Sequence, residues 1–398
     1  MIHILLRGSR SFPPAAPNLF SDQAKSLFVS AKKGKHLKKK HLDPRHAALG
    51  AAIIVFIGAL IFSILSAVTI GAVKISIGEV YRIVLHNVAG ISIGDPSSLS
   101  SGTLYEIVWN LRMPRVLMGA VIGILLATCG VVMQATVQNP LADPYILGIS
   151  SGASLGATFS IMIGASAVFS GALATMGTAF WAFFGALGAM ALVMILAHLG
   201  GGRVTSAKLV LAGCVVGSLC GAFTNMMIYI GKDAENMKSV TYWLLGSMVS
   251  ARWPKLLLPG VCMSAGLLFF LTQLRTLNTL LLGDEAAITL GVDLTKRRRI
   301  YMIITSLLSA VAVCTCGIVG FVGLMIPHIV RGFAGSDHRF LLPLSALSGG
   351  IFLIWADVFA RIVIPNTEIP LGVITSAIGA PIFVYMMVKK SYGFGGKD

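Results

Sequence analysis

Two side chains stand out from an otherwise apolar sequence as candidates for chemistry, His328 and Asp357. A histidine can move protons or ligate a metal, and a carboxylate can act as a base or carry a coupled ion. Neither has a second catalytic partner at a recognisable spacing. Arg361 follows Asp357 by four residues, so on a helix the two share a face and form a local ion pair. A lone histidine in an apolar helix is more often a packed polar residue than a haem ligand, so His328 is read as packing, with iron ligation as the alternative. Cys129, Cys214, Cys220, Cys262, Cys314 and Cys316 all fall in apolar stretches and read as small core residues. Cys314 and Cys316, two apart, do not share a helix face and make a poor metal pair. The sequence has no G-x₄-G-K-[ST] phosphate loop and no H-E-x₂-H. No chain of carboxylates runs through the apolar segments, as an ion-coupled carrier would often show, and Asp143 is the only acid between Val108 and Gly231. Energy for active transport would therefore come from another subunit.

The elements that position these residues are membrane spans. Of 398 residues, 56% are hydrophobic and 12% charged, against about 25% charged in soluble domains. The mean hydropathy is +0.86. Apolar runs long enough to span, about 20 residues, lie near 47–73, 114–136, 145–169, 174–199, 206–230, 254–272, 300–316, 320–334, 341–364 and 371–388. The fold class is thus an all-α membrane protein, a polytopic bundle of about ten helices. Residues 74–111 and 231–253 read as outside loops, the first with a short helix over Ile77–Val88. Tyr242 and Trp243 read as interfacial anchors.

The net charge of +16 is concentrated at one end. Residues 1–45 hold ten Lys/Arg against Asp22 and Asp43. With this tail inside, Arg203, Lys208, Lys296–Arg299, Arg331, Arg339, Lys389 and Lys390 are also inside, which satisfies the positive-inside bias. That pattern argues for lipid surroundings and against nucleic acid. Both termini are expected in the cytoplasm. The expected divisions are a basic tail (1–46), a transmembrane domain (47–390) and a short C-terminal tail (391–398). The first apolar run begins too late for a cleavable signal and reads as a retained span. Glycines recur at close spacing, as in Gly119-x₃-Gly123 and Gly317-x₂-Gly320-x₂-Gly323, which suits tightly packed helices in lipid.

Three extended stretches carry a family likeness. The first runs from Arg112-Met-Pro-Arg115 through Gly119, Gly130 and Gln134 to Asn139-Pro-Leu-Ala-Asp-Pro144 and Ser151-Gly152-Ala153. The second is Gly283-Asp-Glu-Ala-Ala-Ile-Thr-Leu-Gly291. The third runs from Gly320 to Arg331, then Asp337-His-Arg339, Ala356-Asp357, Ala360-Arg361, Glu368-Ile-Pro-Leu-Gly372 and Gly379-Ala-Pro381. Together they resemble the permeases of type II ABC importers, which take up iron-siderophores, haem and cobalamin. The likeness covers about 47–390. It implies ten helices, a homodimer around a central path, two cytoplasmic ATPase subunits and an extracytoplasmic binding protein. It also implies a prokaryotic cytoplasmic membrane and no cofactor on this chain, with ATP and Mg bound by the partner subunits.

The likeness also implies roles for residues. Gly283, Asp284, Glu285, Ala286, Leu290 and Gly291 would form the coupling element seated on the ATPase. Locally, the two acids suit a helix start and Gly291 a break. Arg112, Arg115 and Arg361 would meet acidic residues on the binding protein; snorkelling anchors are the plainer alternative. Asn225, Met226 and Met227 would line the path with a soft, weakly polar wall. Asn139, Pro140, Asp143 and Pro144 form a rigid inner turn, since proline stops a helix and Asn and Asp favour turns. Pro327 allows a kink. The expected cargo is a ferric siderophore or related iron chelate, with haem or a corrinoid as alternatives. A stand-alone channel or secondary carrier is the competing class, and a signalling subunit working through its basic tail is a third.

Overall fold

The structure, a computed structural model, describes residues 44–71, 73–94, 99–164, 177–199, 206–231, 233–282, 293–365 and 367–389. Residues 1–48 and 49–398 form two units; of the first, the described residues open helix α1. Among the described residues every regular element is helical. In chain order they are α1 (Pro44–Thr69), α2 (Ile77–Ala89), α3 (Thr103–Val137), α4 (Ile149–Ile163), α5 (Gly177–Leu199), α6 (Ser206–Ile230) and α7 (Ala234–Leu244). Then come α8 (Trp253–Thr272), α9 (Leu274–Leu280), α10 (Leu294–Cys316), α11 (Val322–Ala334), α12 (His338–Ile362) and α13 (Leu371–Lys389). α1, α3, α5, α6, α8, α10 and α12 are long and apolar enough to cross a bilayer, and α4, α11 and α13 are shorter apolar helices. Each of the ten expected runs therefore holds a helix among the described residues.

α3 is the central post. Nearly all its residues from Met113 to Val137 are buried, while α1 and α8 expose apolar side chains along much of their length. It lies antiparallel to α12, its start beside the end of α12. A Cβ at Gly123 would strike the carbonyl of Gly349, and one at Gly130 would strike that of Gly323 on α11. Small residues let the backbones meet, which is where helix association in lipid draws its energy.

α4 and α11 have 15 and 13 residues. At 1.5 Å per residue they reach only about 20–23 Å, short of the roughly 30 Å hydrocarbon core. Non-helical segments lead into both. Residues 138–143 and a 3₁₀ turn (Pro144–Leu147) precede α4, and residues 317–321 precede α11. Irregular backbone at membrane depth is tolerated where protein buries it. Here Ala142 and Leu147 are fully buried, and the segment from Gly317 runs against Gly246, Gly372 and Gly379. The two breaks meet at Gly323, where an added Cβ would lie 2.9 Å from Pro144 Cδ. The turn at Asn139–Pro144 thus has the expected local build: Asn139 Oδ1 accepts from Leu141 N at 2.9 Å and Asp143 Oδ1 from Tyr145 N at 2.8 Å. It is not a surface turn, however. It folds into the bundle because Ala142, Pro144 and Leu147 are apolar and find a slot beside α11.

Two segments expected as loops are more ordered. α3 extends back to Thr103 through a π-helical stretch, Glu106–Arg112, supported by Asn110 Nδ2 donating to Glu106 Oε2 at 2.9 Å and by Trp109 packing on Trp253. α7 occupies Ala234–Leu244 within 231–253, capped by Asp233, which accepts from Glu235 N. The expected short helix forms as α2. Its Ser76 accepts from Glu79 N at 3.2 Å and donates to Glu79 Oε2 at 2.9 Å, so cap and acid brace the first turn.

Candidate functional site

The polar side chains gather at the two ends of the α3–α12 pair. At the end where α3 begins, Arg115 Nε donates to both oxygens of Asp357, at 3.0 and 3.1 Å, and its Nη2 to Asp357 Oδ1 at 2.9 Å. Its Nη1 reaches both oxygens of Glu368 at 2.9 Å. Arg361 Nε lies 3.2 Å from Asp357 Oδ2, and its Nη1 donates to Ile70 O at 3.2 Å. Arg112 donates to Val68 O at 3.2 Å, to Thr69 O at 3.1 Å and also to Val73 O. Asp357 is 2% exposed, whereas the Glu368 side chain is 44% exposed.

The pairing of Asp357 with Arg361 is as expected, but the three arginines are not displayed as free cations. Arg112 and Arg361 are buried. The physical reason is supply: two carboxylates and the carbonyls at the end of α1 lie within reach, and a guanidinium fork binds them better than it tolerates the membrane boundary unpaired. Glu368, 253 residues from Arg115, is the partner that sequence reasoning left without a role.

The other end of the pair is built from amides. Asn278, on α9, donates to Asp337 Oδ1 at 2.8 Å and accepts from His338 N and His338 Nδ1, each at 2.8 Å. Asp337 Oδ1 also caps α12 by accepting from Arg339 N at 2.9 Å. Burial opposes ionisation of Asp337, but the Arg339 and Asn278 hydrogen bonds and the nearby Arg339 charge outweigh it and hold the carboxyl below its usual range. Gln138, the left-handed residue that ends α3 (φ 53°), donates to Leu280 O at 2.8 Å. Gln134 donates to Leu324 O at 3.2 Å and accepts from Arg331 Nη2 at 2.8 Å, tying α3 to α11. α9 is thus fastened to both α3 and α12, and the chain after it enters the segment 283–291. The expected coupling residues Gly283, Asp284, Glu285, Ala286, Leu290 and Gly291 lie outside the described residues.

Neither cluster is a catalytic constellation. Among the described residues no group of three His, Cys, Asp or Glu could hold a metal ion. His328 is half-buried on α11, and Pro327 sits inside that helix. Proline has no N–H, so the Gly323 carbonyl one turn earlier is spared a helical bond, and that carbonyl is the one packed against Gly130. Asp143 has a different character: it caps the turn before α4, its Oδ1 accepting from Tyr145 N at 2.8 Å.

Residues 59–389 match the FecCD transport family. The chain belongs to that family. It is 36% identical to the uncharacterized ABC transporter permease protein YvrB of Bacillus subtilis, covering 86% of this chain and 95% of that protein. It is also 36% identical to the hemin transport system permease protein HmuU of Yersinia pestis, over 73% of this chain and 86% of that one. With the cobalamin import system permease protein BtuC of Halobacterium salinarum the identity is 40%, over 72% and 74%. A solved structure described as an inward-facing metal-chelate type ABC transporter superposes with a TM-score of 0.71 at 28% identity, covering 86% of this chain and all of that one.

In this FecCD chain the expected path residues sit apart from both clusters, on α6. Asn225 and Met226 are exposed, Met226 at 52%, and Met227 is half-buried. Leu211, Val215, Leu219 and Tyr229 are exposed along the same helix at helical spacing. Between Leu211 and Tyr229 this face carries no charge, and among the described residues it is left uncovered.

Proposed function

We propose that this chain is the membrane-spanning permease subunit of an ATP-driven importer that carries a ferric siderophore or related iron chelate across the cytoplasmic membrane. Hydrolysis takes place on two separate ATPase subunits, which bring their own ATP and Mg; this chain supplies the path. Two copies face each other across the uncharged side of α6, a soluble binding protein delivers the cargo outside, and both termini are cytoplasmic. The end with Asn278 is the inner one, because Lys296–Arg299, Arg339 and Lys389 lie there and bias that side inward. The arginine cluster supports docking from beneath, by fixing the outer ends of α3 and α12 and presenting the half-exposed Glu368.

The observation that carries this reading is the fold itself, ten apolar helices matching a metal-chelate type ABC transporter along that chain's whole length. Haem or a corrinoid is the second reading of the cargo, favoured by the hemin and cobalamin permeases among the relatives. The test is gentle purification of the tagged chain from its native membrane with mass spectrometry of its companions, followed by uptake of a labelled ferric siderophore in competition with haemin and cobalamin. An equimolar ATPase subunit and competition by siderophore alone are expected. Competition by haemin or cobalamin moves the cargo, and a transport-active chain recovered without an ATPase overturns the importer.

A further inference from the structure

We propose that the cavity beneath α7, between the adjoining ends of α5, α8 and α10, binds the anionic headgroup of a membrane phospholipid. The cavity holds about 1230 Å³, above the roughly 300–1,000 Å³ of ordinary small-molecule pockets. Three cations line it, Lys238 on α7 with Arg252 and Lys255 at the start of α8, against a single acid, Glu235. This is the reverse of the Arg115 cluster, where the charges consume one another. Hydroxyls of Thr178, Ser239 and Ser250 share the lining. A phosphodiester calls for that combination, cations for its charge and neutral donors for its remaining oxygen lone pairs. Arg252 is held in place by donating to Val249 O at 3.1 Å and Ala251 O at 2.8 Å.

The apolar part of the lining selects an amphiphile over a soluble anion. Leu258 and Pro259 form one wall, and along the same helix Leu257, Val261 and Leu268 are exposed at 72%, 58% and 65%. On a spanning helix such side chains face acyl tails, so the cationic rim passes into the tail region within two turns. The floor is the last turn of α10, at Cys316 and Gly317, below the rim and inside the span. A partner protein's carboxylate could use the cations but not this wall. Tyr242 and Trp243 border the cavity, the aromatic types that settle at the headgroup level, and Lys238 Nζ lies 6.0 Å over the Tyr242 ring. Assignment to the outer leaflet rests on the orientation proposed above; headgroup binding depends neither on that nor on the cargo.

The test is native mass spectrometry of the full chain, purified in detergent and titrated with phosphatidylglycerol, phosphatidylcholine or inorganic phosphate. Near a surface each cation is worth about fivefold in affinity for an anionic headgroup, so Lys238→Ser with Lys255→Ser should weaken phosphatidylglycerol binding by about 25-fold. Arg252 is left intact to keep the loop folded. Arg82→Ser, on α2 outside the cavity, should change nothing. Phosphatidylglycerol retained in preference to phosphatidylcholine, lost in the double variant and not displaced by millimolar phosphate, supports the site. Equal retention by wild type and variant overturns it, as does binding of phosphate in place of lipid. So does a double variant that keeps its lipid but loses affinity for the soluble binding protein. Whether an ATPase co-purifies bears on the importer alone.

Discussion

The two ends of the α3–α12 pair hold the same helices together by different chemistry. At one end buried Asp357 is locked between Arg115 and Arg361, with Arg115 reaching on to the half-exposed Glu368 and Arg112 fastened to the carbonyls at the end of α1. At the other, the amides of Asn278, Gln138 and Gln134 bond to caps, carbonyls and the Arg331 guanidinium, and they reach a separate element, α9. Breaking a buried ion pair by removing one partner costs about 3–5 kcal/mol, because a bare charge is left behind. A neutral hydrogen bond contributes about 0.5–1.5 kcal/mol net, and a surface-near amide can exchange one partner for another. The charged end therefore fixes a geometry, and the amide end can rearrange. The importer proposed above, pushed from one side by its ATPase subunits, would use that asymmetry as a pivot far from the force and a yielding joint beside it.

The strongest way to break the comparison is at the pivot. Asp357→Ala leaves Arg115 and Arg361 without their shared carboxylate and should lose about 3–5 kcal/mol. Thermal unfolding in detergent reads this, with accumulation in the membrane as a second measure. Asp357→Ala combined with Arg115→Met and Arg361→Met should recover much of the loss, because apolar replacement of a whole buried cluster is tolerated better than its mutilation. A triple variant no better than the single one would show that the cluster's charges are not what fixes this end.

At the joint, Asn278→Ala removes three hydrogen bonds and should cost roughly 2–3 kcal/mol. The telling readout is cargo moved per ATP in reconstituted vesicles, which should fall more than binding-protein affinity does. Asn278→Asp opposes two carboxylates and should behave similarly. Adding Asp337→Asn restores the bond with donor and acceptor exchanged while keeping the cap on Arg339 N, and should restore the ratio. If the ratio follows stability alone, without rescue by the swap, α9 is only a connector.

How much of this could be read from residues alone depends on the range of the interaction. The ten apolar helices are legible because a long apolar run is nearly context-free. The Asp357–Arg361 pair is legible because both lie on one helix. Glu106–Arg112 misleads, since Glu106 and Asn110 look like loop residues until each is seen to satisfy the other. α7 misleads through its polar surface, although Asp233 ahead of Ala234-Glu235 was a usable cap signal. The glycines from Gly317 to Gly323 were readable as close packing but not as a broken span, because the break depends on Gly246, Gly372 and Gly379 closing round it. Asn278 gave no signal at all. Its partners are about 60 residues away, and an asparagine after a leucine-rich helix is ordinary until the fold delivers Asp337 to it.

The smallest effect concerns the turn beside the yielding end. Asp143 Oδ1 accepts from Tyr145 N at 2.8 Å and so caps the 3₁₀ turn that leads into α4. Asp143→Asn keeps that acceptor and should change stability by less than about 0.5 kcal/mol, whereas Asp143→Ala leaves Tyr145 N without it and should cost about 1 kcal/mol. Denaturation midpoints of the three proteins in one detergent measure this. Equal losses in both variants would mean that the carboxylate charge, and not the cap, is what holds the turn Asn139–Pro144.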